Sequence, residues 1–324
     1  MLTRRTALAA PLLAPALAAA PRAARAQFNR PIRLIVPFAP GGTSDILARL
    51  MAPGLGQALG QNVVVENRTG ANGNIAADLV AKSPPDGHTL LLTDTGSLAT
   101  APTLFRSLPF NVTRDLAPVT MLIFAPYLFA THPSVPARTA PELIAYAKAN
   151  PDKINVAHSG VGSANQLTAI VIAKHFDIKW QYVPYRGGAA AVQAVAQNDC
   201  QVVLNGVTAT APFAVDGRLR GLAVSGDQRM AALPDAPSFK ELNWPAVDSG
   251  TWQGIVTSAG TPAPVIATLS ETFRKVMADP EIARRIADLG ALPKAEGPDA
   301  FRAWLADAIE RWGAVVKESG IVLD

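Results

Sequence analysis

Glycine, serine, threonine and asparagine cluster in four short stretches of this chain, and such residues are suited to holding an anion without a cation. The first, Phe38-Ala39-Pro40-Gly41-Gly42-Thr43-Ser44-Asp45, lies directly after the apolar run Ile32 to Pro37 and directly before the helical pattern Ile46 to Leu50. Gly70-Ala71-Asn72-Gly73-Asn74 follows Val63 to Glu66 and precedes an alanine-rich helical pattern ending near Ala81. Ser159-Gly160-Val161-Gly162-Ser163-Ala164-Asn165 follows Ile154 to Ala157 and adds hydroxyls, while Pro184-Tyr185-Arg186-Gly187-Gly188 adds an aromatic face and one cation. Glycines let backbone amides approach a ligand, and a helix N-terminus offers free N–H groups with a partial positive charge. Taken singly, each stretch reads equally well as a turn with a capping residue, Ser44 or Asp45 in the first. Four strand-to-helix turns of one kind are better explained together, as a shared anion site at the carboxyl ends of the strands.

The same residues assemble no catalytic group. His158 and Ser159 are adjacent, which on a strand turns them to opposite faces, and Gly-x-Ser-x-Gly is absent. Gly160 to Asn165 lacks the third glycine of a dinucleotide fingerprint, and no Gly-Lys-Ser/Thr follows a glycine loop. His88, His132 and His175 are scattered, Cys200 is the single cysteine, and neither a metal site nor an internal disulfide is expected. Asp45 reads as a helix cap rather than a general base. Arg186 reads either as a ligand partner or as a solvated surface arginine. No catalytic residue, cofactor or metal is expected.

The elements that position these loops are short β-branched runs alternating with helical patterns, the signature of parallel sheets covered by helices. Strands are expected at Ile32-Pro37, Val63-Glu66, Thr89-Thr93, Tyr127-Thr131, Ile154-Ala157, Tyr182-Pro184, Val202-Leu204, Leu222-Val224 and Gly254-Val256. Thr139-Ala140-Pro141-Glu142 forms a capping box ahead of a helix ended by Asn150-Pro151, and Thr261 is expected to cap a helix running to about Ala278. Phe301, Trp304, Leu305, Ala308, Ile309, Trp312 and Val316 recur at helical spacing as a core stripe. Phe124 to Tyr127 and Asp248 to Trp252 are the places where the chain can pass between two domains. The expected division is 27–126 with 250–324 as one domain and 127–249 as the other, with two crossing strands as the floor of the cleft.

Residues 1–26 read as an export signal: Arg4 and Arg5 precede the apolar stretch Ala7 to Ala20, and Ala24-Arg25-Ala26 offers a cleavage site. The adjacent arginines suit either the general secretory or the twin-arginine route. The full chain has 29 Lys+Arg against 25 Asp+Glu, but Arg4, Arg5, Arg22 and Arg25 all fall in this segment. Without it basic and acidic residues balance, which argues against a nucleic-acid partner. No later apolar run is long enough to span a bilayer.

Read in order, the loops resemble the substrate-binding proteins of tripartite tricarboxylate transporters, also called the Bordetella uptake gene family. The resemblance covers nearly the whole mature chain. It rests on Val36 to Asp45, Gly70 to Asn74, Ser83-Pro84-Pro85-Asp86-Gly87-His88-Thr89-Leu90-Leu91, Ser159 to Ser163, Tyr182 to Gly188, Trp252-Gln253-Gly254 and Ala259-Gly260-Thr261-Pro262. It implies an α/β fold of the periplasmic binding protein type II kind, a Venus flytrap of two α/β domains joined by two crossing strands. It also implies a periplasmic monomer that captures a small mono-, di- or tricarboxylate, aromatic acids included, and delivers it to the membrane subunits of such a transporter. By the same resemblance the ligand is held by Ala39, Gly41, Gly42, Thr43 and Asp45, by Ala71, Asn72 and Gly73, and by Ser159, Ser163, Tyr185, Arg186 and Gly187. His88 departs from a frequent tyrosine, Asn165-Gln166 from a frequent histidine, Asn205 from a frequent aspartate, and Thr100-Ala101-Pro102 lacks a frequent asparagine. With Gln166 and Asn205 facing the cleft, neutral amides suit a carboxylate better than an α-amino acid. A sensor presenting its ligand to a membrane histidine kinase is the close variant. An exported hydrolase or lyase would need a nucleophile and base that the sequence does not supply.

Overall fold

The computed structural model describes residues 28–244 and 250–324; the export segment 1–26 and the crossing residues Asp248 and Ser249 lie outside them. In chain order the first elements are β1 (Ile32–Val36), α1 (Thr43–Leu59), β2 (Val63–Asn67), a single 3-10 turn (Ala71–Gly73), α2 (Asn74–Ala81), β3 (Thr89–Asp94), α3 (Thr95–Leu104) and α4 (Val112–Asp115). β4 (Leu116–Thr131) leads to α5 (Ala140–Ala149), β5 (Asn155–His158), α6 (Ala164–Phe176), β6 (Gln181–Pro184), α7 (Gly188–Ala196), β7 (Val202–Gly206), α8 (Val207–Val215) and β8 (Arg220–Val224). β9 (Gly250–Ser258), α9 (Ala263–Met277), α10 (Pro280–Asp288), β10 (Leu292–Glu296) and α11 (Pro298–Ser319) complete the chain.

The strands hydrogen-bond in the order β2-β1-β3-β9-β4-β7-β5-β6, with β8 and β10 also on β4. β1 pairs parallel with β2 and β3, and β5 parallel with β6 and β7, as strand-helix alternation requires. β3–β9, β4–β9 and β4–β7 are antiparallel, so the sheet is mixed rather than parallel throughout. The reason is the crossing: one strand carries the chain out of the first sheet half and another carries it back. β4 pairs with β9 from Leu116 to Pro126 and with β7 from Tyr127 to Thr131. The two crossing segments read from sequence meet each other in register, Phe124 opposite Trp252, Ala125 opposite Thr251 and Pro126 opposite Gly250.

Three apolar clusters follow from this. The largest joins the inner faces of β1, β3 and β4 to α1 and α9, and it includes Phe273 and Leu269, each fully shielded. A second lies beneath β5 and β7, with Phe129 edge-on to Trp180 and Trp244. The third takes the α11 stripe of Phe301, Leu305, Ala308, Trp312 and Val316 against α2 and α3. Thr139 does cap α5, accepting from Glu142 N at 3.3 Å; the Glu142 carboxylate accepts from Arg138 N at 2.7 Å, one residue before the cap. Thr261 does not cap α9. Pro262 takes that place, and the Thr261 hydroxyl donates instead to Ser258 O at 2.7 Å. Among the described residues no helix is long and apolar enough to cross a membrane.

Phe273 sits where α9 presses on the first sheet half, with no solvent exposure. Phe273→Ala should cost about 3–5 kcal/mol of unfolding free energy by urea titration, the range for truncating a fully buried aromatic.

Candidate functional site

Four helices begin around one small cavity. α1, α6, α7 and α8 are preceded by Gly42, Ser163, Gly187 and Gly206, and none of these four residues supplies a side-chain capping hydrogen bond. Each start leaves backbone N–H groups and a partial positive charge at its end. Gly42, Thr43 and Ser44 line the cavity from the first loop, Ser159, Ser163 and Asn165 from the third, Gly188, Asn205 and Gly206 from α7 and β7, and Asp94, Thr251 and Gln253 from the crossing strands' side. Its volume is about 470 Å³ including the mouth. Lysine, arginine and histidine are absent from the lining among the described residues.

Two hydrogen-bond systems organise it. Asn165 Oδ1 accepts from the Ser159 hydroxyl at 2.9 Å and the Ser163 hydroxyl at 2.6 Å, while Asn165 Nδ2 is buried with no hydrogen-bond partner. In the other system the Ser44 hydroxyl donates to Gln253 Oε1 at 2.7 Å, the Gln253 amide donates to the Thr251 hydroxyl, and Thr251 bonds to Asp94. Asp94 also accepts from Gly96 N at 2.9 Å and so caps α3. The cavity walls approach closely from both sides: a methyl added at Gly206 would lie 2.7 Å from Thr43 Oγ1.

A larger, open cavity of about 1140 Å³ lies beyond Phe38, whose side chain borders both spaces. Ala71, Asn72, Gly73, Tyr185, Arg186 and Gly187 line it, and Ser159 lies on the boundary with the inner one. Asn72 adopts a left-handed backbone, φ 51°, and both its amide atoms are buried without a partner. Gly187 sits against the first loop: a methyl there would stand 3.5 Å from Phe38 Cβ and from Ala39 N. The Tyr185 hydroxyl meets Cys200 Sγ at 3.4 Å, and that contact together with burial pushes its pKa up to about 12.

The residues expected from sequence therefore separate. Gly42, Thr43, Ser159, Ser163 and Asn205 come together in the inner cavity; Ala71, Asn72, Gly73, Tyr185, Arg186 and Gly187 gather in the outer one. Ala39, Gly41, Asp45 and Gln166 line neither, and two of them brace the loops from behind. Asp45 Oδ2 accepts from Gly41 N at 2.9 Å, and its carboxylate also bonds Arg49 and Asn67. Burial raises the Asp45 pKa, but these hydrogen bonds outweigh it and hold the carboxyl below its ordinary value. Gln166 Oε1 accepts from Gly162 N at 2.6 Å and fixes the third loop. His158, at the end of β5, places Nδ1 2.8 Å from Gly160 O, so that nitrogen carries the proton, and His158 shapes the loop rather than activating Ser159. Asp94, Asn165, Thr251 and Gln253 were not among the expected site residues. Asp94 and Thr251 stand at the end of β3 and the start of β9, positions that become neighbours only through the β3–β9 ladder, where Asp94 lies opposite Gln253.

The chain's likeness to known proteins agrees with this arrangement. The model of the tripartite tricarboxylate transporter family receptor matches residues 47–321. Protein BugT of Bordetella pertussis is 34% identical over 323 residues, covering 99% of each chain. Among solved structures, the periplasmic binding protein BugD superposes with a TM-score of 0.86 at 30% identity, over 90% of this chain and 98% of that one. A protein of Rhodopseudomonas palustris with bound malate gives 0.83 at 30% identity, over 89% and 99%. An R. palustris protein with adipate gives 0.86 at 30% identity, over 90% and 98%. The fold is that of periplasmic binding proteins, an α/β Venus flytrap. The chain belongs to the tripartite tricarboxylate transporter receptor family, a family of solute-binding proteins and not of enzymes.

Asp94, half-buried in the cavity wall, and His158, fully buried, give the site an acid-range signature. Burial pushes the Asp94 carboxyl up to about 6 against the hydrogen bonds from Thr251 and Gly96, and burial pushes His158 down to about 4 against its bond to Gly160. Between about pH 4 and 6 the folded chain binds a proton at Asp94 that the unfolded chain has released, so this group makes stability fall as pH rises. His158 does the opposite over about pH 4 to 6.5, being neutral when folded and protonated when unfolded. The two contributions offset. Asp94→Asn should unmask the histidine: stability should drop as pH is lowered from about 6.5 to 4. At about pH 7.5 the variant should be more stable than wild type by on the order of 2 kcal/mol, checked by thermal melts across pH.

Proposed function

We propose that this protein is an exported periplasmic monomer that captures a small carboxylate and delivers it to the membrane subunits of a tripartite tricarboxylate-type transporter. The observation that carries the reading is the inner cavity itself: four helix N-termini converge on it whose preceding residues supply no side-chain cap, and no basic side chain lines it among the described residues. Converging backbone dipoles favour an anion of modest size, and serine, threonine and asparagine side chains add hydrogen bonds in a fixed direction. Asn165 Nδ2, buried and unpaired, supplies one more donor. The malate and adipate held by two R. palustris relatives support the carboxylate class.

In this reading 27–126 with 250–324 form one lobe and 127–249 the other. The carboxylate lies in the inner cavity against Gly42, Thr43, Ser159, Ser163 and Asn205. Asn72, Tyr185, Arg186 and Gly187, with Ala71 and Gly73, meet the distal part of a longer ligand in the outer cavity. Ala39, Gly41, Asp45 and Gln166 serve by holding the loops. The leader 1–26 directs export and is removed.

Binding to the folded state alone raises the melting temperature, and a ligand at about 100 times its Kd adds roughly 2.7 kcal/mol. A thermal-shift screen of the chain from Gln27 onward, against mono-, di- and tricarboxylates, aromatic acids and α-amino acids, should show stabilisation by a carboxylate recovered chemically unchanged. Stabilisation by an α-amino acid above every carboxylate would refute the class. Gly42 has an extended backbone, φ −80° and ψ 168°, that valine also adopts, so Gly42→Val should fill the cavity and abolish binding while the melting temperature of the free protein changes little. Retained affinity would displace the carboxylate from this loop.

A further inference from the structure

The carboxyl of Asp94 is an unexpected group in a cavity suited to an anion. It terminates β3, lines the inner cavity and stands where the hydrogen-bond chain from Ser44 ends. That chain has a direction. Ser44 gives its hydroxyl proton to Gln253 Oε1, the Gln253 amide gives an N–H to Thr251, and the Thr251 hydroxyl has its own proton left for Asp94. With Gly96 N also donating to Oδ1, Asp94 is held as an acceptor.

No positive side chain is at hand to neutralise a second negative charge. Arg186 lies in the outer cavity beyond Phe38, Arg49 is engaged by Asp45, and His158 gives its Nδ1 proton to Gly160 O. Tyr127 is the other titratable side chain in the lining. The groups that favour an anion, the helix N-termini and Asn165 Nδ2, are contributed by other segments of the wall.

We propose that Asp94 sets the ligand specificity of the inner cavity: a ligand whose carboxylate lies among the uncapped helix N-termini turns an alcohol O–H, and not a second carboxylate, toward Asp94. The inference rests on the carboxylate reading given above. A second carboxylate turned toward Asp94 would bring two like charges together with no cation between them, which is disfavoured unless one of them takes up a proton. An ammonium group would find an acceptor at Asp94 but would sit in the positive field of four helix starts.

Asp94→Asn keeps the size of the side chain and its ability to cap α3, since asparagine caps helices as well as aspartate does. Calorimetric titration of both proteins at about pH 7.5 with matched ω-hydroxy monocarboxylates and α,ω-dicarboxylates of two or three carbons, too short to reach Arg186 in the outer cavity, reads the preference. Wild type should favour the hydroxy acid by about tenfold or more, and the variant should lose that preference. Lowering the pH toward about 5 should strengthen dicarboxylate binding to wild type, where burial already places the Asp94 pKa at about 6, and not to the variant. An acid bound with the same hydroxy-to-dicarboxylate ratio by both proteins overturns the role of Asp94 and leaves the carboxylate reading standing. Loss of all binding by the variant alone likewise overturns the selective role of Asp94, whereas failure of wild type to bind any acid of this set or of the thermal-shift screen overturns both.

Discussion

The antiparallel pairing of β4 with β9 is the constraint from which the rest of the molecule follows. β4 runs for 16 residues, buried on almost its whole length, and among the described residues it is the one strand that bonds partners in both halves of the sheet. Every loop that lines the inner cavity is placed relative to this pair. Thr251 and Gln253 lie on β9 itself, Asp94 on β3 beside it, and Asn205 and Gly206 on β7 beside β4. A one-residue slip in the β4–β9 register would turn Thr251 and Gln253 to the opposite face and break the Ser44–Gln253–Thr251–Asp94 chain. The crossing pair is thus both a scaffold and one wall of the site.

The loops show how a site can be polar without being charged. Aspartate, glutamate, lysine and arginine are mostly spent on bracing or on the surface: Asp45 secures the first loop through Gly41, Arg49 and Asn67, and Arg33 pairs with Glu66 across β1 and β2. Apart from the Asp94 carboxyl, the polar lining of the inner cavity is left to backbone dipoles, hydroxyls and amides. Such groups do not titrate near neutral pH, which leaves Asp94 as the inner cavity's pH-responsive member in that range.

Much of this was legible in the residues. Glycine-rich turns after β-branched runs marked the four loops because the backbone conformations and close approaches they need are local properties. Nine strands were located by the same local signal, and the α11 stripe by its period. What escaped was long-range. The part of β4 before Tyr127 carries Pro118 and Pro126 and reads as a broken apolar run; the structure accommodates Pro118 at a register shift in the ladder with β9. β10, Leu292–Glu296, contains Pro293, Lys294 and Glu296 and looks like a loop, yet it is an edge strand on β4. Asp94 falls just past the expected strand Thr89-Thr93, and nothing local tells that Thr251, 157 positions on, points a hydroxyl at it. Gln166 is expected at the cleft because, by the family resemblance, it stands where a histidine is frequent; in the structure its amide oxygen instead accepts from Gly162 N.

Phe38 has a consequence for time rather than for affinity. Its side chain stands between the inner cavity and the open one, packed near Gly73 on one side and Gly187 on the other, so that it belongs to the contact between the first loop and the loops opposite. A molecule behind that ring cannot leave by sliding past fixed walls. Its departure must wait for the loops to part, a collective motion on the microsecond-to-millisecond scale or slower. On the proposed function, the residence time of a bound carboxylate is then governed by how often these loops part rather than by the strength of any one contact.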